Sequence, residues 1–267
     1  MRARRLLGLA LVLACGATPA AFGAKGMLVV ATAATHPPNE FTVPGSAVVR
    51  GMDADLTRAV AAALGLRVRF VDVKFDTILR GVAAHTYDLG VSSITATAAR
   101  QKKVDFVTYF SAGTAFYVKA GGGAAITTPA GLCGRTVAVV SGTTQAADAT
   151  ARDAECVKAG NRGITVAEFP DDNGALVAIE SSDRAVGIAD SPVAAYIVKQ
   201  SHGRLQLTGK TYGTAPYGIA VPKGSALAKP VLDALKKLIA DGTYRAILAK
   251  WGVESGAIAS PQLTPTR

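Results

Sequence analysis

YDLGVSSITATAARQKKVDF, running from Tyr87 to Phe106, is the stretch whose reading decides the fold. Tyr87 to Val91 reads as a short buried strand, Ser92 to Ala96 as the turn at its C-terminal end, and Thr97 as the N-cap of a short helix carrying Arg100. In an open α/β sheet ligands meet the carboxyl ends of the strands, where this turn holds hydroxyls and backbone N–H groups. An Arg one helical turn further on can fork onto a carboxylate. Together these residues describe an anion site. Taken alone, the same stretch also fits a plain capped helix with Arg100 solvated beside Lys102 and Lys103.

Outward from this stretch, strands and helices alternate. Leu28 to Thr32, Arg67 to Val73 and Asp88 to Ser92 read as strands separated by helices Asp55 to Leu64 and Phe75 to Ala84. Such a βαβ order implies a parallel sheet with right-handed crossovers. Ala115 to Lys119, Thr136 to Val140, Ile164 to Phe169 and Ala185 to Ile188 repeat the order, with helices from Thr144, Asp172 and Ser191, which makes a second, similar lobe. Gly121 to Gly123 reads as a surface loop. Leu227 to Ala240 and Gly242 to Trp251 are amphipathic helices jointed at Asp241 and Gly242. Residues 259–267, polar with two prolines, are expected to be a disordered tail.

With 49% apolar and 18% charged residues in 267, the chain can bury a sizeable core. Arg2, Arg4 and Arg5 precede the apolar run Leu6 to Ala14 and small residues through Ala24, the layout of a secretory signal peptide over residues 1–24 with the cut placed after Gly23. Leu13, Ala14 and Cys15 are an alternative lipoprotein junction. The net charge is +10, of which Arg2, Arg4 and Arg5 supply three, leaving +7 on the mature chain. No basic run or interleaved aromatic stripe concentrates it, so no nucleic-acid partner is expected. After Ala24 no apolar stretch is long enough to cross a bilayer as a helix. Export places Cys133 and Cys156 in an oxidising compartment, and they are expected to pair, at about 3 kcal/mol of chain-entropy stabilisation.

SSITATAAR followed by VDF resembles the carboxylate-binding signature of bacterial solute-binding protein family 3, the extracellular receptors of amino-acid ABC transporters. GMDADLTRAVAAAL (Gly51 to Leu64) is similar to that family's other signature, although Met52 and Ala54 depart from its usual pattern. VVSGTTQ (Val139 to Gln145), VGIADSPVAAY (Val186 to Tyr196) and PYGIAVPKGS (Pro216 to Ser225) follow in the family's order, so the likeness spans Met27 to Ile258. The resemblance implies an α/β, two-lobed periplasmic-binding-protein type II fold, each lobe a mainly parallel sheet flanked by helices. It also implies two crossings between lobes, near Ser111 to Thr114 and Tyr212 to Tyr217, so that residues 25–112 with 216–258 form one lobe and 113–215 the other.

A zwitterionic amino acid needs a cation and donors for its carboxylate and an acceptor for its ammonium. By resemblance Arg100 pairs with the carboxylate, Thr95 adds donors, Thr144 closes on the same group from a helix N-terminus of the other lobe, and Ser93 offers its carbonyl to the ammonium. Asp190 either faces the ammonium or caps the helix that follows it. Phe75 stands where the family places an aromatic against the ligand. His36 and Ala33 occupy the first-strand turn and depart from the family, which often has an aromatic and an Asp there; His36 reads equally as a pocket wall or an exposed loop residue. Val140 and Ala189 are apolar, Glu40 and Asp76 are left unplaced, and with no second acid evident a neutral or apolar ligand side chain is expected.

The resemblance thus implies a periplasmic, monomeric, non-enzymatic receptor without cofactor or metal that delivers an amino acid to a membrane permease. The alternative is an enzyme similar to the exported cyclohexadienyl dehydratases of the same fold. Elimination would need an acid or base over the ligand's side chain, and His36 is the candidate among Phe75, Ala33, Val140 and Ala189.

Overall fold

The computed structural model describes residues 26–122 and 126–264. The expected leader, residues 1–24, and Gly123 of the expected Gly121 to Gly123 loop lie outside them. Strand β1 (Met27–Thr32) leads through the small hairpin β2 (Thr35–His36) and β3 (Glu40–Phe41) to helix α1 (Met52–Ala63). Then come β4 (Arg67–Asp72), α2 (Phe75–Ala83), β5 (Leu89–Gly90), the short α3 (Ala98–Gln101) and the long β6 (Asp105–Lys119). The second half runs β7 (Thr136–Val140), α4 (Thr144–Lys158), β8 (Thr165–Phe169), α5 (Asp172–Glu180), β9 (Ala185–Asp190) and α6 (Ser191–Gln200). The chain returns along β10 (Leu205–Val221) to α7 (Ala228–Ala240), α8 (Thr243–Trp251) and β11 (Leu263–Thr264).

Among the described residues nine strands form one sheet, in the order β4-β1-β5-β10-β6-β9-β7-β8 with β11 also on β6, while β2 and β3 pair separately. Parallel pairings, β1 with β4 and β5 on one side and β7 with β8 and β9 on the other, make two wings. An antiparallel ribbon of β6 and β10 joins them. At about 3.4 Å per residue, the 15 residues of β6 reach roughly 50 Å, enough to serve both wings with one strand. The expected crossings are therefore continuous strand, and β10 marks its crossing by register slips between Thr208 and Tyr212, Tyr212 and Ala215, and Tyr217 and Gly218.

Each wing buries its own core. Leu28, Leu56, Val107, Leu235 and Leu248 pack on one face of the first wing, and Ile78, Val82, Phe106 and Ala220 on the other. Phe116, Val137, Val139 and Ile188 do so on one face of the second, with Tyr117, Ile179 and Val193 opposite. Each of these Leu, Ile, Val and Phe side chains contributes about 1.5–3 kcal/mol by leaving water. Cys133 and Cys156 are disulfide-bonded with Cα atoms 5.6 Å apart, tying α4 to the turn before β7 as expected.

Two local features orient the cleft. Gly51, at φ 120°, lies so close to the Asn39 carbonyl that a side chain there would collide with it. The Met52 and Asp53 N–H groups of α1 donate to the Pro38 and Asn39 carbonyls, which anchors the β2–β3 hairpin. The tail corrects the sequence reading. Instead of being disordered from Ser260, Leu263 and Thr264 pair with Val107 and Phe106, the Thr108 N–H donates to the Gln262 carbonyl and the Gln262 N–H donates to the Thr108 hydroxyl. The reason is that β9 covers β6 only from Thr114 to Val118, so the edge of β6 near Phe106 is open for a further strand.

Candidate ligand-binding site

Strand β5 ends at Gly90, and the turn after it is built as the sequence implied. Ser92 Oγ accepts from the Ala33 N–H (3.0 Å) and donates to Glu40 (2.8 Å), locking the turn to the first-strand loop. Ser93 has φ 48°, and its N–H donates to Asp53 (2.7 Å) while its hydroxyl donates to Glu40 (3.0 Å). Thr97 caps α3 by accepting from the Arg100 N–H (3.2 Å). That cap turns Arg100 into the cleft, where Nη1 donates to the Thr95 carbonyl and Nη2 to the Gly142 carbonyl of the opposite wing, both at 3.0 Å. Gly142, at φ 76°, lets that backbone approach Asp76 of α2 closely. The Arg100 guanidinium also lies 5.4 Å from the centre of the Phe75 ring.

From the second wing, the ends of β7, β8 and β9 point at the same space. Thr143, rather than Thr144, caps α4 by accepting from the Ala146 N–H; Thr144 is its first residue. Gln145 donates to Asp190 (2.8 Å) and to Thr114 (3.2 Å). Asp190 stands at the N-cap position of α6 without making a side-chain cap bond, so the capping alternative is set aside. His36 is a cleft wall, its side chain 16% exposed. Its Nδ1 meets Asp172 at 2.5 Å and its Nε2 lies 3.6 Å from Asp190.

All the residues named from sequence, Ser93, Thr95, Arg100, Thr144, Asp190, Phe75 and His36, line one cleft, together with Ala33, Val140 and Ala189. Glu40, Gln145, Asp172 and Thr143, which had no site role from sequence, are among the others that line it. Gln145 and Thr143 lay inside a quoted motif, and Asp172 follows β8 as Asp190 ends β9. The expectation of no second acid is thereby corrected. Asp172 reads in sequence as an ordinary helix start, and only the sheet order carries it across to His36.

The acids beneath the cleft form a buried cluster. Asp53 accepts from the Tyr109 hydroxyl (2.7 Å) as well as from the Ser93 N–H. Burial and the neighbouring Asp53 push the Glu40 carboxyl well above the usual carboxylate range, and burial raises Asp53 also. Burial alone would lower His36, but the charge and hydrogen bond of Asp172, the hydrogen bond to Asp190 and the charge of Glu40 lift it well above an ordinary histidine. Burial lowers Arg100, with Asp190 opposing.

A cation and an acid presented from opposite wings across one small cleft match a zwitterion, and the sequence comparisons agree on the type of protein. The family model of bacterial extracellular solute-binding proteins, family 3, matches residues 28–254. The chain belongs to this family. An arginine-binding protein of Corynebacterium glutamicum is 32% identical over 241 residues, which cover 90% of this chain and 79% of that one. The solved structure of an ancestral arginine-binding protein bound to arginine superposes with a TM-score of 0.77 at 33% identity, covering 85% of this chain and 98% of the other. An ancestral amino acid-binding protein described as a precursor of cyclohexadienyl dehydratase superposes at 0.73 with 30% identity, covering 85% of this chain and 95% of the other. Among the described residues of this family member, no helix is long and apolar enough to cross a membrane.

Proposed function

We propose that this solute-binding protein is the exported, monomeric receptor of an amino-acid ABC importer, closing its two lobes on an amino-acid zwitterion and delivering it to a membrane permease. The observation that carries the reading is the placement of Arg100 and Asp190 on opposite wings of one cleft. Arg100 takes the ligand carboxylate with Thr95 and Thr144, and Asp190, held by Gln145, takes the ammonium with the Ser93 carbonyl. Phe75 and His36 flank the side chain. Closure bends the β6–β10 ribbon near Ser111–Thr114 and Tyr212–Tyr217, and the register slips there support that hinge.

A thermal-shift screen of the mature chain against the amino acids tests the reading, because a ligand at about 100 times its Kd adds about 2.7 kcal/mol to folded-state stability. A rise in melting temperature that is lost in Arg100→Ala and in Asp190→Ala is expected. No rise with any amino acid would defeat the receptor reading.

The likeness to a dehydratase precursor favours a second reading, an elimination catalysed in the same cleft. His36 is joined there by Asp172 and Glu40, so an acid or base is available over the ligand. Incubation with prephenate or arogenate separates the two: turnover supports the enzyme, binding without turnover the receptor.

A further inference from the structure

The charges lining the cleft imply which side chains it accepts, and this inference rests on the receptor reading above. Around the cleft stand Asp172 from α5, Asp190 at the end of β9 and Glu40 on β3, with Asp53 of α1 behind Glu40. Glu40 and Asp53 are buried together, and burial with the neighbouring Asp53 pushes the Glu40 carboxyl up. Arg100 on α3 is the only Lys or Arg among the lining residues. A bound zwitterion pairs its carboxylate with Arg100 and its ammonium with Asp190. Asp172 then remains, and the group that meets it is His36, at 2.5 Å. His36 spans both acids, with Nε2 3.6 Å from Asp190, so a ligand ammonium arriving at Asp190 removes one of its two acidic partners. An imidazolium, unlike Arg100, can surrender its charge as a proton to water.

We propose that Asp172 selects ligands whose side chain carries a guanidinium or ammonium group, and that His36 is the built-in surrogate for that group. When such a ligand enters, its side-chain cation takes over Asp172, the His36 imidazolium becomes neutral imidazole, and one proton passes to solvent. Without this exchange two cations would face the one carboxylate of Asp172, which a site largely removed from water resists. A neutral ligand leaves His36 charged on Asp172 and releases no proton. The same exchange makes affinity for the cationic ligand rise with pH through the His36 titration.

Calorimetry of the mature, disulfide-bonded chain at pH 7 tests this, with L-arginine and L-glutamine in phosphate and in Tris, buffers that differ in heat of protonation. Arginine is expected to bind at least about tenfold tighter than glutamine, and its heat alone to differ between buffers, corresponding to release of up to about one proton. Asp172→Asn should weaken arginine at least about tenfold more than glutamine, and His36→Gln should abolish the buffer dependence while arginine still binds. Melting curves establish that each variant is folded, and the wild-type buffer comparison decides the matter even where a variant is not. Glutamine binding as tightly as arginine, equal losses for both in Asp172→Asn, or an arginine heat independent of buffer would each overturn the inference and leave the receptor reading standing. Binding of no amino acid by the folded chain would overturn both.

Discussion

Replacing Arg100 by Ala is expected to cut affinity for the amino acid by about 30-fold to several thousand-fold while the chain still folds. A guanidinium carries about five N–H donors, and here Nη1 and Nη2 each spend one on a carbonyl, so others remain for a carboxylate. The Phe75 ring and the Gly142 backbone wall the group in, so a ligand carboxylate beside it loses most of its water. Truncation leaves that carboxylate facing no cation, a loss of about 2–5 kcal/mol and hence the stated factor. The effect on folding is smaller, about 1 kcal/mol, because water can reach the Thr95 and Gly142 carbonyls at the cleft mouth. Arg100→Lys keeps the charge and loses the fork, so an intermediate affinity is expected. Titration calorimetry reads the affinities and a melting curve the fold. An Ala variant binding within about threefold of wild type, or a Lys variant equal to wild type, would refute the assignment.

Other expectations concern the scaffold. Breaking the Cys133–Cys156 bond should cost about 3 kcal/mol and lower Tm by roughly 6–12 °C, read by calorimetry of Cys133→Ala/Cys156→Ala; an unchanged Tm would show that the bond constrains nothing. Asp53→Ala strands the buried Tyr109 hydroxyl and Ser93 N–H, so denaturant unfolding should reveal a loss of about 2–6 kcal/mol, and Tyr109→Phe a much smaller one; equal losses would contradict the cluster. Because His36 holds its proton more tightly folded than unfolded, the folded state binds more protons between the ordinary histidine value of about 6.5 and the raised one. Stability of the ligand-free chain should therefore fall as pH rises above about 6.5, with His36→Gln flattening the slope; a wild-type stability that rises over that window would show the sign to be wrong.

The alternation of strands and helices, the turn after β5, the cap at Thr97 and the disulfide partners were legible because each follows from a local pattern or from counting. Periodicity tells whether a segment is half-buried, and a cap needs only neighbours along the chain. Even the residues of the cleft were nameable, since they cluster at strand ends in recognisable motifs. What the chain order cannot contain is the company a residue keeps across the sheet. His36 and Asp172 are 136 positions apart and meet only because β1 and β8 stand in opposite wings whose carboxyl ends converge. Glu40 became part of a buried acid cluster because Gly51 allows α1 to press on the hairpin. The last strand formed at Leu263 because β6 outruns β9 there, a vacancy that composition does not reveal. Sequence by itself determined the elements and named Arg100 and Asp190, which meet in one cleft. Tertiary structure decided the charge balance of the cleft, because burial and proximity, which shift protons, are properties of packed neighbours rather than of local sequence.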